Sequence, residues 1–388
     1  MKRIKLLLIA GLLASCQSGK KADTALKSRS PKTVYYTEPF IKRGNDLTIA
    51  FVGDVIIHQR IRVREEKTHE GFQSIWAPVQ NYLDRAHITY ANLEGPVAPE
   101  YGGPTGFPMF NFPEEIIPAL KNSGFDIVST ANNHALDRQA KGIRKTIENL
   151  KKYELGFAGT ITDQSQITQG FETWWTLMPI PNSNRSIAWI ACTEMTNGNP
   201  DKEDLVLYCF KHREKIKALI TQLKENPEIG AIIITPHWGE EDKFEIEPHV
   251  KAWGRTMLEL GATAIVGSHP HVVQPIEQIT TKDNRKTVIA YSMGNFVSNQ
   301  ITIQNKTSMI LYLKFKNGAD QKWLELVDVK YLPLFTTRTI VKDDTSVFRI
   351  NPVWQGDKVP AEVKQILKTT LGEERQLKSK QEVEDFLK

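Results

Sequence analysis

Long hydrophobic runs, cysteines and nucleotide-binding signatures are scarce in this 388-residue chain. The run Leu6 to Ala14 is broken by Gly11, and it is too short to cross a bilayer, which takes about 20 residues. No G-x-S-x-G elbow, no G-x-x-x-x-G-K-[ST] loop and no G-x-G-x-x-G turn occurs, which removes the usual support for serine-hydrolase, nucleotide-phosphate and dinucleotide readings. A basic body is missing too. The formal charge of +5 has three charges in Lys2, Arg3 and Lys5. Four more come from residues 17–46, where seven bases face Asp23, Glu38 and Asp46, so residues 47–388 sum to −2. Nucleic acid is therefore not an expected partner. With 40% hydrophobic and 24% charged residues the composition is globular, not disordered or fibrous.

What is present begins with a processing signal. A basic start, the apolar run and Leu13-Ala14-Ser15-Cys16 resemble a bacterial lipobox, so residues 1–15 are expected to be cleaved and Cys16 lipidated. Residues 16–46 then read as the lipidated cysteine and a flexible basic tether. The expected location is the cell envelope, lipid-anchored and extracytoplasmic; Gln17 after the cysteine favours the outer membrane in a Gram-negative host. Cys192 and Cys209 fit a disulfide, which an exported location permits, or two buried thiols.

A short apolar run ending in a polar tip recurs along the chain. Leu47 to Val52 leads into Gly53-Asp54, His87 to Ala91 into Asn92-Leu93-Glu94, and Phe125 to Thr130 into Asn132-Asn133-His134. Ala231 to Ile234 precedes Pro236-His237-Trp238-Gly239-Glu240, Ala264 to Val266 precedes Gly267-Ser268-His269-Pro270-His271, and Val288 to Tyr291 precedes Gly294-Asn295-Phe296. Continuous apolar runs are strands buried on both faces. Helical patterns lie at Gln73–Ala86, Glu114–Ser123, Ala140–Tyr153, Lys211–Glu225 and His249–Leu260, with Gly124, Gly156 and Gly261 as C-terminal caps of three of them. This alternation predicts an α/β fold with a mostly parallel sheet, whose strand ends bring the tips together. Ser308–Phe315 and Leu324–Leu332 read as further β segments, and 360–388 as charged helix. Residues 95–113, rich in Gly and Pro, form either a loop at the site's mouth or an inert connection.

If the tips meet, Asp54, Glu94, Asn133, His134, His237, His269 and His271 share one place. That mixed N/O set suits a pair of divalent first-row metals, with Glu94 as the bridge between them. The six tips, in this order, resemble the motifs of the CapA family of poly-γ-glutamate capsule biosynthesis, a branch of the calcineurin-like metallophosphatases, over about residues 46–335. The resemblance implies a metallophosphatase-like sandwich of mixed β-sheets flanked by helices, with β additions near the C-terminus. The domain would span 47–340, with 341–388 an extension ending in helix. It further implies Asp54 as a ligand of the first metal, Glu94 as the bridge and Asn133 and His237 on the second metal. His269 and His271 would complete the spheres, and His134 would act as the acid, a role suited to an imidazole.

The metals would be Mn, Fe or Zn. Where metallophosphatases carry a histidine two residues after the first Asp this chain has Ile56; His58 is either a ligand or a satisfied polar residue. Asp137 either orients His134 or caps a helix, Trp238 and Asn295 line a substrate pocket or, for Trp238, pack in the core, and Glu240 supports the site or is solvated. The function read from this is a membrane-anchored metal-dependent hydrolase, acting on a phosphoester or γ-glutamyl amide in envelope polymer assembly. The competing reading is a non-catalytic lipoprotein that holds an anionic polymer for export in the same cleft. Partners would be the membrane, through the lipid, that polymer or phosphoester, and other capsule-synthesis membrane proteins.

Overall fold

The alternation of buried side chains along the strands divides the chain between two sheets. In the structure, a computed structural model, residues 46–165, 174–318, 323–341, 346–355 and 359–388 are described. The leader, Cys16 and the tether up to residue 45 lie outside them. The strands are β1 (Leu47–Val55), β2 (Ile88–Leu93), β3 (Ile127–Ser129), β4 (Gly156–Ala158), β5 (Trp175–Pro179), β6 (Ser186–Thr193) and β7 (Ile229–His237). After them come β8 (Ala264–Val266), β9 (Ile276–Thr280), β10 (Lys286–Ala290), β11 (Asn295–Val297), β12 (Thr307–Asn317), β13 (Leu324–Ile340) and β14 (Ser346–Pro352).

The first sheet runs β14-β13-β12-β1-β2-β3-β4, with β11 also pairing β1; the second runs β5-β6-β7-β8-β10-β9. β1 to β4 are parallel to one another, while β12, β13 and β14 join antiparallel. In the second sheet β6, β7, β8 and β10 are parallel between the antiparallel edges β5 and β9. Both sheets are therefore mixed. Because neighbouring strand residues point to opposite faces, Ile49 and Phe51 of β1 meet Trp189 and Ile233 of the second sheet in one core. Ala50 and Val52 face outward onto Ile61, Trp76 and Leu83. Ile190 and Ile234 face the other way, onto the helices Arg213–Glu225 and Pro248–Leu260. The sandwich is thus helix, sheet, sheet, helix. Val363, Leu367 and Leu371 of the helix Ala361–Leu371 join the core between the sheets.

Three local expectations are corrected. The pattern at Gln73–Ala86 is not one helix but two 3-10 turns, Phe72–Ile75 and Ala77–Val79, followed by the short helix Gln80–Leu83, because Pro78 lacks the N–H a continuous helix needs. Helix Gln59–Thr68, which the pattern does not announce, is mostly charged and carries one fully buried apolar residue, Ile61. Gly156 is no cap; it opens β4, and Glu154 takes the left-handed conformation there (φ 54°). Gly124 and Gly261 do follow their helices with positive φ. Cys192 and Cys209 form a disulfide.

Candidate metal centre

Six strand ends deliver the predicted tips to one edge of the sandwich. Asp54 lies near the end of β1, level with Asn92 of β2 and Asn295 of β11. A Cβ on Gly53 would stand 1.7 Å from the Gly294 carbonyl oxygen, so glycine is what lets β1 and the Gly294 turn approach this closely. Gly267 does the same service beside the Tyr291 carbonyl, at 2.1 Å. His237 ends β7, and His269 and His271 follow β8. Both of the latter adopt positive φ, 101° and 59°, a strain on the order of 1–3 kcal/mol each that a surrounding structure must hold in place. It sits on two of the predicted ligands.

Asp54, Glu94, Asn133, His237, His269 and His271 are all buried and all in one network. Asn92 Nδ2 donates to Asp54 Oδ1 at 2.8 Å, and His271 Nδ1 lies 3.2 Å from Asp54 Oδ2. His237 Nε2 lies 3.1 Å from Asn133 Oδ1 and 3.1 Å from His269 Nδ1. Its Nδ1 is 3.0 Å from Ser268 Oγ. Glu94 Oε1 is buried with no hydrogen bond, 3.7 Å from both His237 Nε2 and His271 Nε2. Two overlapping trios have ligand atoms within 4.8 Å of one another and could hold a metal ion, Asp54–Glu94–His237 and Glu94–His269–His271. Glu94 is common to both.

The electrostatics fit the same reading. Burial, then the charge of Asp54, pushes the Glu94 carboxyl well above its ordinary pKa. Burial, then the neighbouring imidazoles, drives His237 well below its own, and burial with His271 lowers His269 to about 3. For His271 burial is outweighed by the hydrogen bond and charge of Asp54, and its pKa is raised. A divalent cation placed among these groups would offset the buried negative charge that raises Glu94. An orphaned carboxylate oxygen, proton-poor imidazoles and a mixed N/O donor set fit first-row divalent ions.

His134 stands at the rim. Its Nδ1 lies 2.7 Å from Asp137 Oδ2, which also accepts the Phe110 N–H at 2.7 Å, and Asn199 Nδ2 reaches Asp137 Oδ1 at 3.4 Å. The helix Gln139–Lys152 has no side-chain cap, so Asp137 orients His134 and does not cap. His58 belongs to neither trio: its Nδ1 accepts the Asn299 N–H at 3.2 Å, its ring meets Phe110 edge-on at 5.4 Å, and burial lowers its pKa to about 4. Ile56 is buried in the core. Trp238 is fully buried, its N–H on the Tyr291 carbonyl and its ring edge-on to Trp253, so it packs the core beside the site. Asn295 Nδ2 ties down Gln300 and the Asn305 carbonyl at 2.7 and 3.0 Å, and Glu240 is exposed. Loop 95–113 packs Phe110 against the His134 ring at 4.6 Å.

Asn92, Ser268, Asn132 and Phe110 are the participants that sequence reasoning passed over. Asn92 sits two residues before Glu94, an even offset that puts both on one face of β2; that signal was available. Asn132 Nδ2 holds the Leu93 carbonyl at 2.8 Å while its Oδ1 accepts the His134 N–H at 3.1 Å.

Comparison with known proteins gives a consistent family. Residues 48–300 match the family described as "Bacterial capsule synthesis protein PGA_cap". The chain is 28% identical over 289 residues to the capsule biosynthesis protein CapA of Bacillus anthracis, covering 72% of this chain and 67% of that one. It is 26% identical over 308 residues to the PGA biosynthesis protein CapA of Bacillus subtilis (strain 168), covering 78% and 75%. Among solved structures it is similar to the 5'-nucleotidase of Candida albicans SC5314, with a TM-score of 0.44 at 10% identity, covering 89% and 59%.

Proposed function

The chain belongs to the bacterial capsule synthesis protein family, and from that premise we propose that it is a metal-dependent hydrolase of envelope polymer assembly, cleaving a phosphoester or a γ-glutamyl amide. The observation that carries the reading is the buried Glu94, whose Oε1 makes no hydrogen bond and whose carboxylate belongs to both trios of ligand atoms. Asp54, Glu94, His237, His269 and His271, with Asn133 beside them, would hold Mn, Fe or Zn. Such ions lower the pKa of bound water and polarise the bond under attack. Asp137 Oδ2, bonded to His134 Nδ1, keeps that nitrogen as the donor within the pair, so Nε2 is the atom that passes a proton to the leaving group. The Phe110 ring against His134 fixes its orientation and shields it from water.

The capsule role follows the names of the two CapA relatives. For anchoring, Cys16 is the proposed lipid attachment point; among the described residues no helix is long and apolar enough to cross a membrane. A Cys16→Ala chain should move from the membrane to the soluble fraction.

The test begins with elemental analysis of the purified protein, followed by assays on a generic phosphodiester and on poly-γ-glutamate. Binding no metal at any pH sinks the proposal. His134→Ala should keep the metal and lose turnover by about 10²–10⁴-fold. If it instead keeps polymer binding and the capsule phenotype at full strength, the protein is a binder and not an enzyme.

A further inference from the structure

Both ring nitrogens of His237 stand within hydrogen-bond distance of partners, and the partners on the two sides differ in kind. Nε2 faces Asn133 Oδ1 and His269 Nδ1, each at 3.1 Å. A carboxamide oxygen only accepts, so in this arrangement the ring proton belongs on Nε2. Nδ1 is then the acceptor, with Asn92 Nδ2 at 3.2 Å and Ser268 Oγ at 3.0 Å placed to donate to it.

Nε2 is also the nitrogen 3.7 Å from Glu94 Oε1, which makes no hydrogen bond. An ion shared by Glu94 and His237 would take Nε2, and a ligating imidazole offers a lone pair there, not a proton. The neutral ring would then carry its one proton on Nδ1, which needs an acceptor because His237 is buried and an unpaired N–H is costly away from water. Asn92 cannot serve. Its Nδ2 only donates, and it already reaches Asp54 Oδ1 at 2.8 Å and Glu94 Oε2 at 3.4 Å.

Ser268 can serve, because a hydroxyl both donates and accepts and its hydrogen turns to suit. Among the described residues its Oγ has no other hydrogen bond than the one to His237. The backbone fixes it in place: the Ser268 N–H donates to the Pro236 carbonyl and the Ser268 carbonyl accepts the Trp238 N–H, both at 3.0 Å. His237 and Ser268 thus lie side by side as a parallel bridge, and Ser268 is buried with its partner.

We propose that Ser268 is a positioning residue of the metal centre, its hydroxyl donating to His237 Nδ1 while Nε2 carries the ring proton and accepting from Nδ1–H once Nε2 holds an ion. The proposal rests on the metal-dependent reading and adds a change of tautomer to it. One proton leaves Nε2 for solvent, one from solvent arrives at Nδ1, and the ring is neutral before and after.

The test is titration of the chelator-stripped full chain with zinc, a diamagnetic ion, followed by proton–nitrogen NMR of histidine-labelled protein. The His237 signals are identified by their loss in His237→Gln. The ring proton should sit on Nε2 in the stripped protein and on Nδ1 after loading. Ser268→Ala should bind zinc about 10- to 100-fold more weakly, while its stripped form melts close to the parent because Asn92 Nδ2 still donates to Nδ1. Zinc that binds without moving the proton, or a Ser268→Ala chain that binds zinc as tightly as the parent, overturns the proposal and leaves the metal centre standing. A Ser268→Ala chain whose stripped form melts far below the parent also overturns it, since that marks a packing role. A chain that binds no zinc overturns both the proposal and the metal-dependent reading.

Discussion

Single residues carry opposite demands for stability and chemistry at this centre. Glu94 is buried where its pKa is raised by burial and by Asp54. A carboxyl whose folded pKa lies above its unfolded one contributes stability below the unfolded value and loses it as pH rises. In chelator-stripped protein at pH 8, Glu94→Gln should therefore raise the unfolding free energy by about 1–3 kcal/mol. The same substitution should lower the metal bound per chain and abolish hydrolysis. Denaturant titration and elemental analysis read the two arms, and a stripped variant less stable than the wild type would contradict the assignment. His58 shows the converse sign. Its folded pKa of about 4 lies below the unfolded imidazole value, so the unfolded chain takes up a proton first as pH falls. Between pH 7 and pH 4.5 the stripped wild type should lose about 2–3 kcal/mol more than His58→Gln, and equal losses would show that His58 is not held neutral. Most of the centre was legible because its residues cap strand ends in a recognisable order. The orientation of Asp137 was not, since three residues from His134 an Asp serves a helix start or an imidazole equally well, and only the Phe110 N–H and Asn199 settle it.

At the scale of elements, the segment between Cys192 and Cys209 illustrates how support reaches the site. The disulfide closes a loop with a sequence separation of 17, and that loop delivers Asn199 to Asp137. Replacing both cysteines by serine should cost about 3 kcal/mol of stability, visible as a lowered Tm and as an equal lowering when the wild type is reduced. An unchanged Tm would show that the loop is held by its other contacts alone. The pairing itself could not be read from the sequence, because two apolar segments with one cysteine each look the same whether bonded or reduced. The strands were legible because Val, Ile and Phe runs such as Leu47–Val55 announce double-sided burial. Helix Gln59–Thr68 escaped because a helix with little buried apolar surface leaves almost no periodicity to read.

For the whole molecule, periodicity foretold strands and helices but not their division between two sheets. Nothing local in β4 or β5 marks where the chain leaves one sheet for the other; that choice is made by side chains far apart in sequence, such as Phe51 against Trp189 at 5.5 Å. The C-terminal stretch belongs to the same body. β14 pairs with β13 through seven residues from Leu334 to Ile340, and Leu367 is buried between the sheets. Leu367→Ala should cost about 2–5 kcal/mol, and a chain ended at residue 341 should fail to give a cooperative melt. A truncated protein that melts like the parent would refute this.

The placement of the two ligand trios has a thermodynamic corollary. Asp54 and Glu94 come from the first sheet, His237, His269 and His271 from the second, so an ion held by either trio would be a cross-link between halves of the sandwich. By mass action, every tenfold rise in free metal above the dissociation constant adds about 1.4 kcal/mol to the folded state. On the proposed reading the fold would be a gauge of the metal around it, most resistant to heat and proteolysis where the proposed ions are plentiful, and first to be cleared where they are scarce.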